Sequence, residues 1–305
     1  MHRLRNYILC VVVTILLFFT VTAVQGSLFA KYYVLNTDTY VDVIEEKDIG
    51  TKVYEVIEER YETEVNSTGI PSEVYMEVVN NPAVKEMVTG CVEDAFKYIK
   101  GKAKKLDYET CREKLVPLKK SIDTFFEEYA NSINYEKDDA FYEKTSDVYE
   151  TADKFITETA DVYQFITIDA AGYLRYAKKV YDYIDIMMIV SIIASFVLII
   201  IIIIANNKNL FNSLYWISIS AGTSAVIFLA VCIYLKVTDY FDRFAIKAKH
   251  VFAAMTGLFN ELTDKLITIN LIIISISFVL MILYIVLGKE KNVTDSQNKE
   301  VLQEA

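Results

Sequence analysis

The chain has 305 residues, 53% of them hydrophobic, and a positive mean hydropathy, yet 24% of it is charged and its net charge at pH 7 is −10. So apolar a composition excludes an ordinary soluble domain, and so much charge requires the two characters to be segregated along the sequence. Residues 31–186 hold 20 Lys/Arg against 33 Asp/Glu, an acidic block that repels nucleic-acid phosphate and anionic lipid headgroups; no nucleic acid is expected as a partner, and cationic or neutral ligands remain.

A short N-terminus, 1–6, carries Arg3 and Arg5. Residues 7–30 then contain no charge, and at about 1.5 Å per residue such a helix crosses a hydrocarbon core of about 30 Å. A cleaved secretory signal is the alternative, with a small-residue exit at Val24-Gln25-Gly26. The apolar run exceeds the ~7–15 residues of a signal core, which favours an uncleaved first span.

Only nine Gly and three Pro punctuate the chain, so 31–186 is expected to be helical. Leu35-Asn36-Thr37-Asp38-Thr39-Tyr40 supplies N-cap residues ahead of Val41 and Ile44, and Val53 and Ile57 follow beyond Asp48, predicting two short helices. Asn66-Ser67-Thr68-Gly69 and Pro71 close this part, and Asn80-Asn81-Pro82 opens a helix that runs from Ala83 to Lys100 and ends at Gly101. Asp107 is placed to cap the next helix, which reaches Phe126 and Tyr129 and in which Pro117 should mark a kink or restart. From Asp147, apolar positions recur at steps of four and three through Val162, Ile166, Ala170 and Val180 to Ile184, predicting one helix unbroken into the second span.

Three further charge-free runs, 187–205, 213–235 and 267–288, are span-length. The turn 206–212 allows only a tight hairpin, so it lies on the side opposite the large domain. The loop 236–266 carries a stripe from Val237 through Phe244 to Met255 that reads as an outward extension of the third span, with Gly257 as its break. A tail, 289–305, completes the chain. Arg3, Arg5, Lys208, Lys289 and Lys291 fall on one side, which by the positive-inside rule makes both termini cytoplasmic and the large domain external, although 236–266 brings five basic residues to the outer side. The fold class expected is all-α, with four transmembrane helices and a helical extracytoplasmic domain between spans 1 and 2, in the plasma membrane.

Residues with the reach of chemistry are few. His2 and His250 are the only histidines and cannot join Cys10 and Cys232, which lie inside spans, in a zinc site. No phosphate loop, nucleophile elbow or calcium loop occurs. The acid pairs Glu45/Glu46, Glu58/Glu59, Glu127/Glu128 and Asp138/Asp139 are sequence neighbours, so on a helix their members point about 100° apart and read as solvated faces. Hence no catalytic, cofactor-binding or metal residue is assigned, no cofactor is expected, and the chain is read as a non-enzyme.

Cys91 and Cys111 are the two cysteines of the acidic block, where an outer location permits oxidation. Helical rise on both sides of a turn at 101–106 offsets them by roughly 6 Å, and helix separation adds ~8–10 Å, which favours two free, buried thiols. Seventeen of the 22 Tyr fall in 31–186, where amphipathic rings serve both cores and binding faces. The spans lack Asp, Glu, Lys, Arg and His, which argues against a coupled pump. Ser218, Ser220, Ala221, Gly222, Thr223 and Ser224 make the third span small-sided, with Ser191, Ser195, Ser275 and Ser277 on its neighbours, a pattern of close helix packing with a lined pore as the alternative.

Leu35-Asn36-Thr37-Asp38-Thr39-Tyr40, then Asp48 and Val53-Tyr54, and later Tyr98-Ile99-Lys100-Gly101 before Leu106-Asp107, resemble an uncharacterised family of bacterial four-span membrane proteins. Outer domains of that family begin Leu-Asn-Pro-Asp-Phe-Tyr, continue to Val-Tyr and carry Tyr-Leu-x-Gly. The likeness covers roughly the first 120 residues; Thr37 stands in place of the proline and Thr39 in place of the aromatic. It implies an extracytoplasmic helical architecture and no catalytic residue. The order of spans is also similar to that of division-associated ABC-type permease subunits, an analogy of topology; the six residues before the first span leave no room for elements that dock an ATPase. The expected function is therefore an envelope protein, set in the lipid bilayer, whose outer domain binds a protein, peptide or cell-wall partner and relays to the membrane. A transport or permease-like subunit is the alternative, and a homo-oligomer is compatible with either.

Overall fold

The structure, a computed structural model, describes the backbone of residues 2–206 and 211–303 and the side chains of 4–206 and 211–287. Lys208, Lys289, Lys291 and the side chain of Arg3, on which the inside-outside expectation drew, lie outside the described residues. Among those described every element is helical and no strand occurs. Four helices are long and apolar enough to cross a membrane: Leu4–Val34, Tyr173–Ala205, Phe211–Val237 and Lys249–Leu287. The first three contain the runs 7–30, 187–205 and 213–235, and the fourth covers 267–287, as a multi-pass membrane protein requires.

The chain divides into two compact units. The first comprises the residues up to Val34, Tyr183–Tyr240, and those from Leu262 onward. Its helices are α1 (His2–Phe29), which closes in a π-helical turn at Ala30–Val34, most of α9 (Tyr173–Ala205), α10 (Phe211–Val237) and most of α11 (Lys249–Gln303). Helix α1 packs chiefly along α10, and Val13, Leu17 and Ile202 form a fully buried centre flanked by Trp216 and Ile217. Tyr7 meets Trp216 edge-on at 5.6 Å, and Asn6 donates to the Ala205 carbonyl at 3.1 Å, tying the start of α1 to the end of α9. Ion pairs Lys31–Asp185 and Lys236–Asp264 mark the other ends of these helices.

The second unit comprises Leu35–Asp182 and Phe241–Glu261. Helix α2 (Thr37–Glu46) starts on Asn36, whose side chain accepts from the Asp38 amide, and α3 (Ile49–Thr68) ends at Gly69 with φ 71°. After the single turn α4 (Glu73–Met76), α5 (Asn81–Ile99) opens on Asn80, which accepts from the Ala83 amide at 3.0 Å, and has Pro82 in its first turn. Helix α6 (Glu109–Ser132) passes through Pro117 without interruption. Helices α7 (Asp139–Ala160) and α8 (Phe165–Ala170) complete the set.

The most enclosed of these helices is α5, touching α2, α3, α6 and α7. Its inner face carries Val84, Met87, Val88, Val92, Ala95 and Phe96, packed with Ile57, Leu115, Leu118, Ile122 and Ile156 from its neighbours. Each such side chain contributes on the order of 1.5–3 kcal/mol by leaving water, so the unit has a core of its own. At one end Tyr40 meets Phe96 and Tyr163 edge-on at 4.9 and 5.2 Å, and the Tyr163 hydroxyl donates to the Tyr40 carbonyl. Burial pushes the Tyr40 hydroxyl up to about 12, so it stays neutral there.

Three expectations are corrected. The helix predicted to run unbroken from Asp147 into the second span stops at Ala160, restarts as α8, and passes Gly172 at φ 80° before α9 begins. The cause is the Asp161 carboxylate, which accepts the amides of Phe165 at 2.9 Å and Ile166 at 2.8 Å and so caps a new helix after Gln164 at φ 58°. The stripe Val237–Met255 does not extend the third span either: α10 ends at Val237, a 3₁₀ turn occupies Phe241–Arg243, and α11 begins at Lys249 and runs through Gly257. Gly257 is a close approach rather than a break, because a Cβ there would stand 2.9 Å from Val43 Cγ1. Finally, Asp107 does not cap α6; it pairs with Arg112 and Lys105, and the Thr110 amide is taken by Asp94 of α5 at 3.2 Å.

Candidate functional site

Within the second unit, α4 and α6 bound a recess of about 790 Å³. Its apolar surface comes from Val74, Val78, Pro117 and Phe125, and its acids from Glu73, Glu77, Glu113 and Glu128. Ser121 fixes the width by donating to the Val74 carbonyl at 2.8 Å. Of the two lysines present, Lys114 is paired with Glu86. The arrangement can receive an extended segment that offers apolar anchors and positive charge.

A second recess, about 430 Å³, lies where Tyr108, Arg112, Asp153 and Asp169 converge. Burial holds the Asp153 carboxyl above the usual carboxylate range, opposed by the Arg112 guanidinium. A third, about 320 Å³, is aromatic: Tyr61 stacks on Tyr75 at 3.9 Å and meets Phe155 edge-on, while Arg60 stands 5.1 Å over the Phe155 ring. Of the four acid pairs singled out in the sequence, every member is exposed except Glu58, which is half-buried and accepts from the Tyr54 hydroxyl. Among the described residues no group of three or more His, Cys, Asp or Glu could hold a metal ion.

The membrane-span unit gathers a polar set that the small-residue stripe only partly announced. Ser218, Ser220 and Ser224 all turn inward, whereas Thr223 and Ser275 are exposed. The Ser218 hydroxyl donates to the Ser277 carbonyl at 2.7 Å, and Ser224 stands 2.9 Å from both the Thr22 hydroxyl and the Gln25 side-chain oxygen. Thr22 and Asn270 are members that the sequence did not single out, and Gln25 stood out only as part of a candidate signal exit. Gln25 is 2% exposed and its Nε2 has no partner; turning the amide over would exchange the two atoms and leave the oxygen without a partner instead. Asn270, fully buried, donates to the Leu266 carbonyl while its Oδ1 goes unmatched, as do the hydroxyls of Ser220 and Ser277. The available signal was a carboxamide inside each of two charge-free runs.

No family model, curated protein or solved structure matches the chain.

Proposed function

We propose that this is a non-enzymatic plasma-membrane protein, both termini cytoplasmic, whose helical unit stands outside the cell and binds a cationic peptide segment of another envelope protein. The supporting observation is the recess between α4 and α6, lined by Val74, Val78, Pro117 and Phe125 and by four glutamates against two lysines. Charge complementarity steers a basic partner there, and Phe125 supplies an apolar contact of the kind that dominates binding energy. The external placement draws on the positive-inside pattern, and of the five basic residues that stood against it Arg243, Lys247 and Lys249 lie in Phe241–Glu261, which shares one compact unit with Leu35–Asp182. Those three belong with an element of the folded domain and are not a free loop to be retained, while Lys236 is paired with Asp264.

The test is photocrosslinking in intact cells from a benzophenone amino acid at Thr124, with partners identified by mass. An envelope-protein adduct is expected, reduced roughly tenfold or more by Phe125→Ala and by Glu77→Lys combined with Glu128→Lys. Adducts to this chain alone would replace the proposal by a homo-oligomer, and an ATPase adduct by the permease-like reading. For placement, Glu150→Cys should react with a membrane-impermeant maleimide from outside; reaction only after permeabilisation overturns the external domain.

A transport or permease-type subunit is the second reading, favoured by the unmatched polar atoms of Gln25, Ser220, Asn270 and Ser277. Buried polar groups of this kind are satisfied by water where there is room for it. With Cys10 and Cys232 replaced by alanine, Ser220→Cys would then react with a small charged thiosulfonate in membranes. No reaction sinks this reading and leaves interhelical packing as the role of the set.

A further inference from the structure

Helices α5 and α6 lock together at one place through three successive contacts. A Cβ on Gly90 would lie 2.4 Å from Thr110 Cγ2, so the helices approach as closely as a glycine allows. One residue on, the sulfurs of Cys91 and Cys111 are 3.2 Å apart, each side chain about 1% exposed, with nothing between them. One turn further, the Asp94 carboxylate takes the Thr110 amide at 3.2 Å. The separation expected from helical rise is thus corrected. Residues 100–108 lie outside helices, so Cys111 falls in the first turn of α6, and facing side chains bridge most of the gap between helix axes.

We propose that Cys91 and Cys111 are joined by a disulfide in the mature protein. The proposal rests on the external placement of the helical unit, since a cytosolic location would keep both thiols reduced. A bond needs the sulfurs at about 2.05 Å, a little over 1 Å closer than they stand, which rotation of the two side chains can supply. The oxidant is another disulfide, small or protein-borne, outside the membrane. One cysteine thiolate attacks it and releases a thiolate, and the second attacks the mixed disulfide and releases the other. Two cysteine thiols lose two protons and two electrons, and one external disulfide becomes two thiols. In the finished fold burial pushes the Cys91 thiol well up, so little thiolate forms there; the bond is made while α5 and α6 are coming together.

The test uses the full chain in its native membranes, denatured in the presence of N-ethylmaleimide and digested without reductant. The expected product is a peptide pair holding Cys91 and Cys111, two hydrogens lighter than the sum of its thiols and separated by reductant. Protein prepared throughout under reductant should melt about 6–12 °C lower, the consequence of opening a loop spanning 20 residues, and a Cys91→Ser, Cys111→Ser variant should show no such dependence. Both cysteines alkylated while Glu150→Cys labels from outside would overturn the disulfide and leave the external placement standing. Both alkylated with Glu150→Cys labelled only after permeabilisation would overturn the two together.

Discussion

Asp161→Ala should destabilise the helical unit by about 2–4 kcal/mol, measured by chemical denaturation of the full chain in detergent and followed by circular dichroism. The side chain is 2% exposed, and its two oxygens separately hold the Phe165 and Ile166 amides. Alanine leaves both donors without partners, at about 1–3 kcal/mol for each that stays buried, offset in part because a costly buried carboxylate is removed. Asp161→Asn keeps one acceptor and should cost about half as much. A loss below about 0.5 kcal/mol for alanine would show that water replaces the cap freely.

The same residue gives a pH signature with a definite sign. Burial raises the Asp161 carboxyl above its ordinary range, opposed by the Ile166 and Phe165 amides and the Tyr108 hydroxyl. A group whose folded value lies above its unfolded value, about 3.9, binds its proton more tightly when folded. Its contribution is therefore greatest below the unfolded value and declines as pH rises through the folded one. Wild type should lose stability relative to Asp161→Asn across that window; a constant difference would place the folded and unfolded values together.

Gly90→Val should cost about 3 kcal/mol, and Gly90→Ala about 1–3 kcal/mol although alanine is the better helix former. The reason is contact, since the new Cβ would stand 2.4 and 2.5 Å from Thr110 Cγ2 and Cβ, atoms on a backbone held by Asp94. Because the obstruction is a single side chain, Thr110→Gly should recover about half of the alanine penalty in a double-mutant cycle. Strictly additive effects would mean that the helices separate as a whole.

What the sequence shows of this molecule follows how local the determining physics is. The four apolar helices were legible because each charge-free run is long enough to span the hydrocarbon by itself. The Asn80 cap and the Gly69 and Gly101 stops were legible because capping is settled within a few residues. The break at 161–164 was not, since Val162 and Ile166 keep the helical phase across it while a carboxylate diverts the backbone; Gly172 was its one visible mark. Gly257 misled for the opposite reason: a glycine that could end a helix is used to admit Val43, a partner some 200 residues earlier. The polar set around Gln25 needed three helices to assemble, and a carboxamide or a stripe of small residues in one run does not show which partners it meets.

The shared membership of Leu35–Asp182 and Phe241–Glu261 in one unit imposes an order of events during synthesis. The segment bearing Gly257 and Phe259 emerges only after α9 and α10 have been made, so the partners of Val43 and Phe241 are the last to arrive. A nascent chain halted before residue 241 would carry every helix from α2 to α8 and yet lack that piece. Completion of the helical unit is therefore a late step, which waits until the second and third apolar helices have been made.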